Sequence, residues 1–205
     1  MPMFSLLVVD VSEDWEEALK AHERGYFIDW EPYMPGKYVP GRIQPSDVSL
    51  ISYPHGSLRA GFNAIIDTVR MANRFGAATY AVEHDVPNAD GEEETCWSLR
   101  PYVDARNRYH KRSLSAFGCE VANHLRPEDG PLFILGYDRD ACVLATVKDA
   151  VERGFRVVLS EHCLLTADRN NRREDTMAYF RANTHVLDSL IDVWNWMRDR
   201  TCVPA

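Results

Sequence analysis

Apolar and polar positions along the chain fall into two alternating patterns. One is a set of short, nearly unbroken apolar runs: Phe4 to Val9, Ala77 to Val82, Leu132 to Leu135 and Phe155 to Leu159. Runs of this length bounded by turn residues predict strands buried on both faces. The other pattern is helical. From Ser57 to Phe75, Leu58, Phe62, Ile65, Ile66, Val69 and Ala72 form one stripe, with Ser57 placed to cap the helix and Gly76 to end it. From Ala141 on, Val143, Val147, Ala150 and Val151 recur at spacings of three and four, and Gly154 sits at the expected C-cap. The stretch Pro131 to Ser160 therefore reads as strand, helix, strand. Such a unit predicts a parallel sheet with right-handed crossovers, and ligands bind such sheets at the carboxyl ends of the strands.

The rest of the chain is less regular. Residues 12 to 56 form a long connection rich in aromatics and proline, with at most a short helix from Glu13 to Arg24. It reads either as a lid or oligomer arm lining a pocket with aromatics, Trp15 among them, or as an irregular surface layer. Glu83-His84-Asp85 follow the second strand. A polar connection from Pro87 to Arg108 carries the acidic run Glu92 to Glu94, read as a solvated face. Arg108 to Lys111 is a short strand or loop, and a helix is expected from about Ser115 to Leu125. Two helices are expected between Glu174 and Arg200, with Trp194 and Trp196 in the last. No internal boundary divides the chain, so a single domain over 1–205 is expected.

Composition narrows the function. The 205 residues suffice for one α/β domain with a full core. A net charge of −8 argues against a nucleic-acid backbone or an anionic membrane as the main partner. No apolar run approaches bilayer-spanning length, and the first ten residues lack the features of a signal peptide. Five cysteines without paired spacing suggest a reducing compartment, so a cytoplasmic protein acting on a small molecule is expected.

Three residues fall at the carboxyl edge of the inferred sheet. Asp10 ends the first strand; it is an active-site carboxylate or a turn cap. Cys142 falls in the first turn of the crossover helix, where free N–H groups and the helix dipole favour a thiolate; the alternative is a small buried hydrophobe. A lone lysine is ordinarily a surface residue, and chemistry alone does not single out Lys111.

Together these pieces resemble the isochorismatase-like cysteine hydrolase family, which includes nicotinamidases, N-carbamoylsarcosine amidases and ureidoacrylate amidohydrolases. The resemblance is carried by Leu6 to Val11, by Lys111-Arg112-Ser113-Leu114-Ser115-Ala116-Phe117, and by Gly136 to Gly154 with Cys142-Val143, Thr146, Asp149-Ala150 and Arg153-Gly154. It implies a three-layer α/β/α fold of Rossmann-like topology with a mostly parallel central sheet. It implies a Cys142 nucleophile, Asp10 as general base and acid, and Lys111 lowering the thiol pKa and holding Asp10. It also implies an oxyanion hole from the backbone N–H groups of Asp138 and Cys142, beside a cis peptide at Tyr137–Asp138. Trp15, His84, Tyr137 and Arg139 are assigned to substrate binding. Ser12 and Arg139 depart from the family pattern; Arg139 either meets an anionic substrate or points to solvent. The Asp-x-His metal motif of the nicotinamidase branch is replaced by Glu83-His84-Asp85, so neither metal nor cofactor is expected. The resemblance further implies a homo-oligomer. Cleavage of an amide, carbamoyl or ureido bond is expected; the alternatives are enol-ether hydrolysis and a silent ligand-binding or redox-sensing oligomer. A nucleotide-binding domain is disfavoured, because Asp10-Val11-Ser12 stands where a Gly-rich turn would be needed.

Overall fold

The structure, a computed structural model, describes residues 3–11, 51–84, 95–167 and 173–201. The elements in chain order are β1 (Ser5–Val9), β2 (Ile51–Ser52), α1 (Leu58–Arg74), β3 (Ala78–His84), β4 (Arg108–Lys111), β5 (Leu132–Gly136), α2 (Leu144–Glu152), β6 (Val157–Ser160), β7 (Thr166–Ala167), α3 (Arg173–Asn183), β8 (His185–Leu187) and α4 (Leu190–Thr201). Short 3-10 turns lie between several of them. Six strands form one sheet in the order β4-β3-β1-β5-β6-β8, and every pairing in it is parallel. β2 and β7 pair antiparallel as a separate ribbon.

The apolar runs explain the layers. Successive strand residues face opposite sides of a sheet. Leu6 and Val8 of β1 and Phe133 and Leu135 of β5 join Phe62, Ile65 and Val69 of α1 and Val193, Trp196 and Met197 of α4 in one core. Leu7, Val9, Leu132 and Ile134 join Val143, Val147 and Ala150 near α2 and Met177 and Phe180 of α3 in the other. This is the three-layer α/β/α arrangement, with the sheet fully parallel. Trp196 packs edge-on against Phe4 at a ring separation of 5.1 Å. Trp194, two residues earlier, is exposed.

α1 runs as its stripe predicts, and the Ser57 hydroxyl accepts the Ala60 N–H at 3.2 Å. Elsewhere the structure corrects the reading. β3 continues through Glu83 and His84, because both pair with β4, Glu83 opposite His110 and His84 opposite Lys111. The helix expected at Ser115–Leu125 is two 3-10 turns, Ala116–Gly118 and Glu120–Asn123, separated by an extended Cys119. The Ser115 hydroxyl takes the Phe117 N–H as an N-cap, and Thr146 takes the Ala116 N–H; the extended backbone at Cys119 then ends the first turn, so the helix does not continue. β8 and the β2–β7 ribbon were not expected. The 12–50 connection, with Ser12 and Trp15, lies outside the described residues, as do Asp85 and the acidic run at 92–94.

Candidate active site

β1 and β5 run side by side at the centre of the sheet, Val9 opposite Gly136. Their exits carry the chemistry. Gly136 has φ +132, and a Cβ there would lie 2.0 Å from the Val9 carbonyl oxygen, so only glycine fits. The Tyr137 N–H then donates to that carbonyl at 2.9 Å, and the Tyr137–Asp138 peptide is cis.

Asp10 leaves β1 with φ 51, the left-handed region that aspartate tolerates better than most residues. Its N–H donates to the Val82 carbonyl of β3 at 2.9 Å, which anchors the exit of β1 against the neighbouring strand. Lys111 ends β4 on the far side of β3. It is 1% exposed, and its Nζ lies 2.9 Å from Asp10 Oδ2 and donates to the Ser113 carbonyl at 3.2 Å. The Asp10 contact is a short ion pair outside ideal hydrogen-bond alignment; among the described residues neither carboxylate oxygen has a well-aligned donor. Asp10 therefore keeps acceptor capacity.

Cys142 sits in a π-helical turn, Arg139–Val143, immediately before α2, rather than in the first turn of an α-helix. Both Asp10 and Lys111 lie within hydrogen-bonding reach of its thiol. The sequence-derived expectation of an acidified thiol is reversed in the resting site. Burial pushes the Cys142 pKa up, the Asp10 charge adds to this, Lys111 pulls the other way without prevailing, and the thiol stands at about 12.

Thr146 is a member of the site that sequence reasoning noted only as part of a spacing. Its buried hydroxyl donates to the Cys142 carbonyl at 2.7 Å and accepts the Ala116 N–H at 2.9 Å. It thereby joins the turn carrying the thiol to the segment that follows Lys111. A Thr four residues after the candidate cysteine was the available signal.

His84 and Tyr137 are both half-buried at the carboxyl edge. Arg139 is 2% exposed and does not point to solvent. Its Nε and Nη2 meet the two Asp140 oxygens at 2.8 and 2.7 Å. A cavity of about 410 Å³ opens beside β4 against Arg108, His110, Arg112 and Cys119, but neither Cys142 nor Asp10 lines it. Among the described residues, no cluster of His, Cys, Asp or Glu could hold a metal ion, and no helix is long and apolar enough to cross a membrane.

Fold and site together define a class: a parallel α/β protein that brings a thiol, a carboxylate and an ammonium together at the carboxyl edge of its sheet. The isochorismatase domain family matches residues 58–189. No curated protein matches the chain. Among solved structures, a nicotinamidase from Staphylococcus aureus is 16% identical, with 91% of this chain and 100% of that one covered and a TM-score of 0.57. An N-carbamoylsarcosine amidase from Thermoplasma acidophilum is 17% identical, covering 92% and 96% with a TM-score of 0.57. A cysteine hydrolase from Pseudomonas syringae is 13% identical, covering 97% and 93% with a TM-score of 0.63. At these identities the likeness is one of fold. The chain belongs to the isochorismatase family of hydrolases.

Proposed function

We propose that this protein is a metal-independent cysteine amidohydrolase that cleaves a C–N bond in a small amide, carbamoyl or ureido compound. The observation that carries the reading is the contact of Cys142 with both members of the buried Asp10–Lys111 pair. The fold neighbours include a nicotinamidase and an N-carbamoylsarcosine amidase, which supports an amide-type bond.

In the proposed cycle the Cys142 sulfur attacks the carbonyl carbon while its proton passes to the Asp10 carboxylate. The carbonyl electron pair moves to oxygen, where the backbone N–H groups of Asp138 and Cys142 receive the charge. Collapse of this intermediate expels the nitrogen, which takes the proton back from Asp10, and leaves a thioester. Water then attacks the thioester, Asp10 accepts its proton, and the returning proton regenerates the thiol as the acid leaves. Lys111 stays charged throughout and holds Asp10. His84 and Tyr137, half-buried at the carboxyl edge, are assigned to the substrate pocket, as Trp15 is from the sequence alone. Exposed Leu190, Ile191 and Trp194 on α4 support self-association into a homo-oligomer. The four described cysteines are all free thiols, which supports a cytoplasmic setting.

The test is ammonia release from a panel of small amides and ureido acids, comparing wild type with Cys142→Ala, each with and without chelator. Turnover abolished by the substitution and indifferent to chelator is expected. Turnover retained by Cys142→Ala would remove the nucleophile and favour enol-ether hydrolysis with Asp10 as acid.

A further inference from the structure

Arg139 is among the largest fully buried side chains of the described residues, at 2% exposure. A buried guanidinium is uncommon unless it is paired. Here one edge of its fork is filled by Asp140, with contacts of 2.8 and 2.7 Å. Its remaining nitrogen, Nη1, lies 3.6 Å from Glu161 Oε1, just past the end of β6. Glu161 in turn faces His55 at 3.6 Å. The Arg139 N–H donates to the Leu165 carbonyl at 2.8 Å, and the Leu165 N–H donates to Gly136 at 3.0 Å.

Asp140 is held from two further sides. The Thr166 hydroxyl of β7 lies 3.0 Å from Asp140 Oδ2 and also 3.0 Å from Asp138 Oδ1. Thr176 of α3 adds a side-chain hydrogen bond to Asp140. Burial would raise the Asp140 pKa, but the bonds from Arg139 and Thr176, the Arg139 charge and Thr166 outweigh it, so the carboxyl lies below its ordinary value. The end of β6, β7 and α3 thus converge on the two residues between Asp138 and Ala141. An anionic substrate group approaching Arg139 would meet three carboxylates, Asp138, Asp140 and Glu161, around one guanidinium. Substrate recognition by charge is a poor use of such a cation; holding the turn is a good one.

We propose that Arg139 is a positioning residue, clamped between Asp140 and Glu161 so that the turn bearing Asp138 and Cys142 keeps the thiol buried against Asp10 and Lys111. This rests on the reading of Cys142 as nucleophile and Asp138 as oxyanion donor. A loosened turn exposes the thiol and returns its acidity toward the ordinary value. Cys142 then becomes easier to alkylate even as turnover falls, while Cys96, buried in the other core and read from the same digest, keeps its wild-type rate; a merely destabilising substitution unmasks both.

The experiment measures alkylation of Cys142 by iodoacetamide at pH 8, mapped by mass spectrometry of the Cys142 peptide, with folding checked by circular dichroism. Arg139→Gln is expected to raise the rate at least fivefold. Arg139→Lys, which keeps the charge and loses the fork, should fall between it and wild type. Arg106→Ala, which breaks the exposed Arg106–Asp104 pair at 3.0 Å, should match wild type. If Arg139→Gln does not fold, Glu161→Gln is judged by the same fivefold threshold. A folded Arg139→Gln, or Glu161→Gln in its place, below that threshold overturns the proposal. The readout needs no substrate, so it is independent of the proposed reaction: turnover surviving in Cys142→Ala would remove the amidase chemistry and leave the clamp standing.

Discussion

Replacing Asp10 by Asn should make Cys142 more reactive toward a simple electrophile while abolishing turnover. The Cys142 thiol is carried from its ordinary 9.0 to about 12, the second largest cause being the Asp10 charge and a smaller one the hydrogen bond that the thiol donates to the same group. Three pH units correspond to about 4 kcal/mol in favour of the neutral form. At pH 8 roughly one thiol in 10⁴ is ionised, against roughly one in ten for an unperturbed thiol. Asp10→Asn removes both Asp10 contributions and leaves Lys111 facing the sulfur. A unit charge about 4 Å away at an effective dielectric near 20 is worth at most about 4 kcal/mol, or about three pH units; burial, the largest cause, persists in the variant, so the expected fall is roughly two pH units. That multiplies the thiolate about 100-fold at pH 8. The weaker nucleophilicity of a more acidic thiol removes roughly a factor of ten, leaving alkylation about tenfold faster. Lys111→Met removes the opposing charge and should slow alkylation. The assay is iodoacetamide labelling of the Cys142 peptide from pH 7 to 10. Slower labelling of Asp10→Asn, or faster labelling of Lys111→Met, would refute the assignment of which charge governs the resting thiol.

Two further outcomes concern stability. Thr146→Val leaves the Cys142 carbonyl and the Ala116 N–H without the hydroxyl that joins them; the buried Ala116 N–H left without its acceptor costs about 1–3 kcal/mol, measurable by urea unfolding, and a loss under about 1 kcal/mol would mean that other partners replace Thr146. Cys163 is fully buried beside Thr68 and its thiol is pushed up to about 12. Because its folded pKa exceeds the unfolded one, its contribution to stability is complete below pH 9 and is lost as pH rises toward 12, with a slope of about 1.4 kcal/mol per pH unit. Cys163→Ala should flatten the decline in unfolding free energy between pH 9 and 10.5, and an unchanged slope would show that Cys163 ionises within the fold.

The layers were legible because periodicity dictates them. β1 and α1 carry enough apolar residues in one register for solvent exclusion to fix their faces. β8 was not legible: His185–Leu187 is three residues long and owes its existence to pairing with β6. The spurious helix at Ser115–Leu125 arose because Phe117, Val121 and Leu125 recur at spacings of four, while the break that divides it, the extended backbone of Cys119, leaves no mark in that spacing. Lys111 reads as a surface residue until the sheet places β4 beside β3, and only family resemblance brought it forward. Arg139 posed the same problem in reverse. Its sequence neighbours suggest solvent or substrate, but Glu161 and Thr166, which decide its surroundings, lie on later elements.

The resting state of the thiol, which the sequence misjudged, follows from the charge balance of the site. Asp10 and Lys111 form a short, buried pair of net charge zero. A standing thiolate beside that pair would give a net charge of −1 in a site closed to solvent, and an uncompensated buried charge is costly. A neutral thiol avoids it. In the proposed cycle, as the Cys142 proton moves to Asp10, the anion shifts from oxygen to sulfur while the total stays zero and Lys111 remains next to it. The ammonium thus faces the negative charge both before and after transfer, and the proton travels only between adjacent groups. On this reasoning Lys111 serves less to acidify the thiol at rest than to keep the site neutral in total as the nucleophile forms. Burial of Cys142 is then compatible with reactivity, because a thiolate is needed only while an electrophilic carbon is there to receive it.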